Sequence, residues 1–292
     1  MKLMVSMPGH QQLKILYTSE EIYKLNQEGK VTLIDVRDEA FYDEYHIEGA
    51  VNIPDIFYYL SMSTDEDLQT LQNKFRKHFS EAGVIQEKLL VFYEDSLTKR
   101  YCGSCRGYLI AKYLGHPEAG ILYGGLDAWK AKGFPVSKET PVVHPTSFEV
   151  RLYSELFATK TDVLQAITDP DTILLDDRDE DEWKAESSSP YGVDFAPRKG
   201  HIPGAVWIEW REFLEQRDAY PAFKTKEDIC ALCLGKGITP DKNIIIYCFK
   251  GSRASNTYVA LTLAGFHNVR VYFASWNEWA RDPSLPISTE DH

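Results

Sequence analysis

LIDVRDEAFYDEYHIEGAVNIP, residues 33–54, is echoed by LLDDRDEDEW at 174–183 and HIPGAVWI at 201–208. Asp35 answers to Asp176 and Arg37 to Arg178, each 141 positions on. His46 answers to His201, 155 positions on, so the second copy carries 14 additional residues between these points. Later anchors hold the register, Tyr93 with Tyr247 and Tyr123 with Tyr272. Each copy closes on an aromatic turn, YGGLDAW at 123–129 and YFASWNEW at 272–279. A period near 150 is too long for a solenoid and means two similar domains. The sequence places them at 15–138 and 149–288, joined through the proline-bearing KETPVVHPTSF at 138–148.

Within each copy, short apolar runs alternate with amphipathic stretches: VTLIDV, LLVFY and GILY, then TILLD, NIIIYC and VRVYF. Unbroken apolar runs of four or five residues fit strands covered on both faces, hence parallel α/β sheets. Ligands of such sheets bind beyond the carboxyl ends of the strands. One thiol, Cys248, stands at such an end in NIIIYCFKGSRASNTYVALT, residues 243–262.

The loop after Cys248 runs Phe249, Lys250, Gly251, Ser252, Arg253, and then the pattern turns helical. Gly251 permits a tight reversal. Backbone N–H groups, the start of the helix and two cations would then converge on the sulfur and favour its thiolate. A strand-end cysteine serving only as a small hydrophobe does not account for that company. Cysteine phosphatases need Cys-x5-Arg to surround a phosphate. Here only four residues separate Cys248 from Arg253, and the smaller ring suits a sulfur atom already bound to the cysteine.

Composition sets the surroundings. A hydrophobic content of 43% and a charged content of 26% are those of a globular chain. A net charge of −12 speaks against nucleic-acid or anionic-membrane partners, and makes a local cationic cluster informative. No window approaches the ~20 apolar residues of a membrane span. MKLMVSMPGHQQLK lacks the apolar region of a signal peptide. Five cysteines in a chain this large predict a reducing, cytoplasmic setting.

Together the repeated DxR…HIxGA, the strand–Cys-x-x-Gly-x-Arg loop and the closing SWNEW resemble the tandem rhodaneses, the thiosulfate and 3-mercaptopyruvate sulfurtransferases. The resemblance covers about residues 15–288. It implies two rhodanese-like domains, each a five-stranded parallel sheet flanked by helices, with one catalytic cysteine in the second. By position it makes Cys248 the persulfide carrier and Phe249, Lys250, Gly251, Ser252 and Arg253 its cradle, Arg253 being catalytic. Arg178 and Arg198 fall where the family binds the anionic end of the donor. Arg178 has a first-copy twin in Arg37 and fits an ion pair with a neighbouring Asp equally well. Arg198 lies in the 14-residue insertion, without a twin. His46 and His201 read as structural, and Asp35 and Asp176 as strand-end hydrogen-bonding groups. In the first copy Glu94 follows Tyr93 where the second has cysteine, so that domain is expected to be inactive. Arg106 matches a family arginine of structural role.

Two C-x-x-C pairs stand apart, Cys102/Cys105 and Cys230/Cys233. The first, beside Lys99, Arg100 and Arg106, could relay sulfur or be redox-active; burial in a helical turn is the simpler reading. The second suits a helix face on the core. Their wide separation argues against a shared zinc site.

The sequence thus predicts a sulfurtransferase that takes the outer sulfur of thiosulfate onto Cys248, releases sulfite, and passes the sulfur to cyanide or a thiol, a protein thiol included. No metal or organic cofactor is called for. Because thiosulfate is a dianion, Lys250, Arg253, Arg178 and Arg198 are expected to supply the compensating charge. The alternatives are 3-mercaptopyruvate as donor and a non-catalytic binding module. Small uncharged residues typically follow the cysteine in the 3-mercaptopyruvate branch, unlike Phe249 and Lys250. Modules of the non-catalytic kind usually lose the cysteine.

Overall fold

The structure, a computed structural model, describes residues 14–217 and 220–290. The apolar runs form the strands. In the first domain five parallel strands stand in the spatial order Leu16–Tyr17, Ala119–Leu122, Leu89–Tyr93, Val31–Asp35, Val51–Asn52. In the second, four parallel strands follow the same pattern: Val269–Val271, Asn243–Tyr247, Thr172–Asp176, Val206–Trp207. The central strands Leu89–Tyr93 and Asn243–Tyr247 are buried along nearly their whole length, as helices on both faces require.

One expectation needs correcting. The second sheet has four strands, not five. Its counterpart of Leu16–Tyr17 is a single parallel bridge, Phe157 to Val271. The segment before Phe157 is wound into a 3-10 turn, Ser154–Leu156, so just one residue lies extended beside the sheet.

The repeat is physical as well as textual. Arg37 grips Asp35 through Nε and Nη2, and Arg178 grips Asp176 in the same way. The Tyr93 hydroxyl accepts from the Ile47 N–H at 3.1 Å, and the Tyr247 hydroxyl from the Ile202 N–H at 3.1 Å. Trp129 and Trp279 donate their indole N–H groups to the carbonyls of Pro135 and Pro286. His46 stacks on Tyr42 and His201 on Trp183, each with ring centroids 3.8 Å apart; both imidazoles are buried. These are fold contacts.

The domains share a core. Helices Gly103–Tyr113 and Ser252–Ala264, which follow the two central strands, pack on each other. Tyr113 stacks on Phe157 and Phe157 on Phe273, at 4.1 and 4.6 Å. Ser63 donates through its N–H and hydroxyl to the buried Glu278 carboxylate, at 3.0 and 2.6 Å. The carboxyl end of Asn243–Tyr247 therefore opens against the first domain. Among the described residues no helix is long and apolar enough to cross a membrane.

Candidate active site

Cys248 follows the last residue of its strand and is 1% exposed. The chain reverses at Gly251, whose φ of +88° and whose contact with the Phe273 carbonyl, 2.9 Å from where a Cβ would stand, exclude other residues. The reversal turns the Gly251 N–H onto Cys248 Sγ at 3.0 Å, at the start of the 13-residue helix Ser252–Ala264. The cysteine's own amide donates to Ser275 Oγ at 3.1 Å, and Trp276 N–H donates to its carbonyl at 3.0 Å. Ser275 holds a left-handed φ of +57° where the first copy has Gly125 at +60°. A non-glycine residue there costs about 1–3 kcal/mol, and the hydroxyl gains the contact to the Cys248 amide. Backbone and side chains thus fix the sulfur at a helix N-terminus.

Lys250 is 6% exposed. Its ammonium lies over three rings from both domains: Phe57 at 3.8 Å, Tyr191 at 5.2 Å and Tyr58 at 5.7 Å. Burial, with the Arg106 cation adding to it, pushes Lys250 down to about 7, while Cys248 acts the other way. Arg106, from the first domain, is fully buried over the Phe273 ring at 4.6 Å. Its guanidinium donates only to carbonyls, those of Ile56, Phe57 and Tyr59 at 2.6–2.9 Å. Burial draws it down to about 10, and Cys248 lies near enough to oppose that.

The remaining arginines are each held by groups of the protein. Arg253 is buried, paired with the Glu182 carboxylate through both terminal nitrogens and with Asp179 at 3.2 Å. Burial works against its charge, and Glu182, with Cys248 and Asp179 adding to it, more than offsets this, holding the guanidinium well above its ordinary range. Its positive charge is therefore already met. Arg178 is fully buried between Asp176 and the Gly200 carbonyl, its guanidinium 4.4 Å from the Trp276 ring. Arg198 spends its donors on the carbonyls of Trp279, Ala280, Asp282 and Leu285. Neither Arg178 nor Arg198 lines the space around Cys248. Both guanidiniums make fold contacts, that of Arg198 to four carbonyls and that of Arg178 to Asp176 and Gly200, while Arg178 Nη1 is buried without a hydrogen-bond partner among the described residues.

That space is bounded by Tyr101, Tyr191, Phe249, Lys250, Ser252 and Arg253, and holds about 10 Å³. This is room for roughly one water-sized group. Tyr101 arrives from the first domain on a run of left-handed residues, Arg100 to Cys102, and packs against Trp210 at 6.0 Å. Sequence reading missed Tyr101, Tyr191, Phe57 and Glu182. The rings carry no local signature. Glu182 closes a capping box with Asp179, which reads as helix initiation rather than as a counter-ion.

In the first domain Glu94 takes the equivalent place. It is buried, and accepts from the Ser104 N–H and, at 2.8 Å, from the Ser104 hydroxyl, at the start of helix Gly103–Tyr113. Burial pushes it up to about 8 despite these bonds. Folded protein thus holds a proton there that the unfolded chain releases above about 4.5, so Glu94 lowers stability progressively from that pH towards 8. Glu94→Gln is expected to raise the urea midpoint at pH 7.5, and the gain should shrink as pH falls to 4.5. The slope is at most about 1.4 kcal/mol per pH unit. A gain that does not vary with pH would refute this.

The other cysteines lie in the core. Cys102 and Cys105 are fully buried, Cys102 Sγ donating to the Leu97 carbonyl at 2.8 Å. Burial, with Cys105 adding to it, drives Cys102 well up. Cys233 is buried and pushed up to about 12 by that burial, and Cys230 faces the Ala264 carbonyl.

Comparison with known proteins agrees with this geometry. A sequence profile of the rhodanese-like domain matches the chain twice, over residues 18–132 and 159–282. The sulfur carrier protein TtuD of Thermus thermophilus is 28% identical over 96% of this chain and 98% of its own. Thiosulfate sulfurtransferase of Azotobacter vinelandii is 30% identical over 88% and 91%. 3-Mercaptopyruvate sulfurtransferase of Escherichia coli is 28% identical over 71% and 70%. Among solved structures, the 3-mercaptopyruvate sulfotransferase SseA of Escherichia coli superposes with a TM-score of 0.75 at 24% identity, over 89% of this chain and 98% of that one. An EanB variant in complex with ergothioneine does so at 0.81 and 23%, over 95% and 70%. Two matched domains, the repeated buried contacts and the cysteine loop make this chain a member of the rhodanese-like family, carrying the domain twice.

Proposed function

We propose that the protein is a sulfurtransferase that carries sulfur as a Cys248 persulfide, with thiosulfate as donor and a thiol or cyanide as acceptor. The observation that carries this is the Gly251 N–H directed at Cys248 Sγ at 3.0 Å, at a helix N-terminus. A thiolate there is both stabilised and fixed. It attacks the outer sulfur of thiosulfate; the S–S bond breaks and sulfite leaves with the electron pair. The adjoining space of about 10 Å³ leaves room for about one added sulfur atom. An acceptor thiolate then attacks that sulfur, and Cys248 leaves as thiolate, again under the Gly251 amide. Splitting the transfer lowers each barrier.

Positive charge for the donor comes from Lys250, which lines the space beside Cys248. A second donor, 3-mercaptopyruvate, is favoured by one observation: Glu182 and Asp179 already balance Arg253. A monoanion needs less compensation than a dianion. The deciding experiment follows sulfite from thiosulfate and pyruvate from 3-mercaptopyruvate, with intact mass reading one added sulfur per chain. If neither donor adds sulfur, the reading fails.

Lys250 gives a pH test. Pushed down to about 7, it is cationic below that pH and neutral above it. With thiosulfate, kcat/KM of the native protein relative to Lys250→Arg should therefore fall as pH rises through about 7, since arginine keeps its charge. The expected loss is ten- to a hundredfold, the roughly 1.5–3 kcal/mol of a charge-assisted contact. Parallel pH profiles would remove Lys250 from donor capture.

A further inference from the structure

Beside the Cys248 pocket lies a second, larger space. It measures about 160 Å³ and is lined by Tyr58 and Leu60 of the first domain and Tyr191, Phe195, Phe249 and Lys250 of the second. It shares Tyr191, Phe249 and Lys250 with the cysteine pocket, so the two spaces adjoin across these three side chains.

Its walls are apolar by construction. The Tyr58 hydroxyl donates to the Asp38 carboxylate, which leaves the ring to the cavity. Tyr191 lies between Phe249, at 5.0 Å, and Phe195, at 5.8 Å. Leu60, Tyr58, Tyr191 and Phe195 are among the most exposed large hydrophobic side chains of the described residues, from 37% to 51%. Four such side chains from two domains at one mouth mark a binding surface rather than scattered exposure. Lys250 is the charged group of the lining. It is 6% exposed, and among the described residues it has rings for neighbours and no carboxylate partner. A buried cation with no carboxylate partner is costly, and a ligand's anion adds to the relief that Cys248 gives it.

We propose that this vestibule is the acceptor subsite, and that it selects small thiols with an apolar body about the size of a benzene ring, their thiolate directed to Lys250. The size follows from comparison: an apolar cavity of about 150 Å³ takes benzene. The polarity follows from the walls, which offer burial to an apolar body and nothing to a hydrated one. The inference rests on the persulfide reading above and names the acceptor for it. The thiolate sulfur of the acceptor attacks the outer sulfur of the Cys248 persulfide. A new S–S bond forms as the bond to Sγ breaks, Cys248 departs as thiolate, and the acceptor leaves as a hydropersulfide carrying the proton that the persulfide took from water after loading.

The experiment is a single turnover. Protein preloaded with one sulfur is discharged by phenylmethanethiol or by 2-hydroxyethanethiol, which are similar in basicity and differ in the body they present. Phenylmethanethiol should give at least a tenfold higher second-order rate constant. Phe195→Ser, and independently Leu60→Gln from the other domain, should reduce that ratio severalfold. Equal rate constants in the native protein, or an unchanged ratio in both variants, would overturn the subsite. Protein that never accepts the first sulfur would instead overturn the persulfide reading. The loading step, scored by mass before discharge, separates the two failures.

Discussion

Cys248→Ser is expected to form no persulfide and to release neither sulfite from thiosulfate nor pyruvate from 3-mercaptopyruvate. Serine keeps the size of the side chain and its place under the Gly251 N–H, so the fold should be retained. What is lost is the thiolate, the species that attacks sulfur. Serine at Cys102, Cys105, Cys230 or Cys233 is expected to leave the single added sulfur in place, since those thiols are held in the core or at its edge, outside the lining of the Cys248 pocket. Intact mass after exposure to donor, followed by gel filtration to remove it, distinguishes the outcomes. Sulfur retained by Cys248→Ser would move the carrier to the first-domain pair.

The second large effect concerns stability. Arg253 and Glu182 are both buried and bonded to each other. Arg253→Met should destabilise the protein by about 3–5 kcal/mol, because it strands a carboxylate away from water. The double variant Arg253→Met with Glu182→Leu removes both charges and should recover most of that loss. Urea unfolding of the four proteins closes the cycle. A double variant as unstable as Arg253→Met would show that the pair is not the source of the cost. The recovered double variant also has a use in catalysis. If it still adds sulfur, Arg253 serves the shape of the loop and not the charge of the transfer.

These two residues also mark where sequence reading stops. Cys248 was legible because its meaning is local. An apolar run gives the strand, Gly251 the reversal, and the helical pattern the N-terminus, all within a few positions. Asp35 with Arg37 and Asp176 with Arg178 were legible for the same reason, each pair lying two residues apart and repeated between copies. The two α/β domains followed from run lengths and from the repeat. Even there, the second sheet lost a strand to the 3-10 turn Ser154–Leu156, since hydrophobic pattern sets burial but not which turn precedes it.

What the tertiary structure alone decided is the destination of the charges. Arg253, Arg178 and Arg198 all read as cations near a site, and a sequence cannot say which acceptors a long side chain will reach. Folding brought Glu182 to Arg253 across 71 positions and laid Arg198 on the carbonyls at 279–285. It also gave Cys248 a wall from the other domain: Arg106 near it, Tyr101 beside it, and Phe57 under Lys250. Residues a hundred or more positions away leave no trace in the loop they serve. The sequence by itself placed Cys248 at a strand end, before a tight reversal and a helix, because backbone geometry is set by neighbours. The field and the selectivity around the sulfur belong to the packing of one domain on the other, because charge and apolar surface act through space.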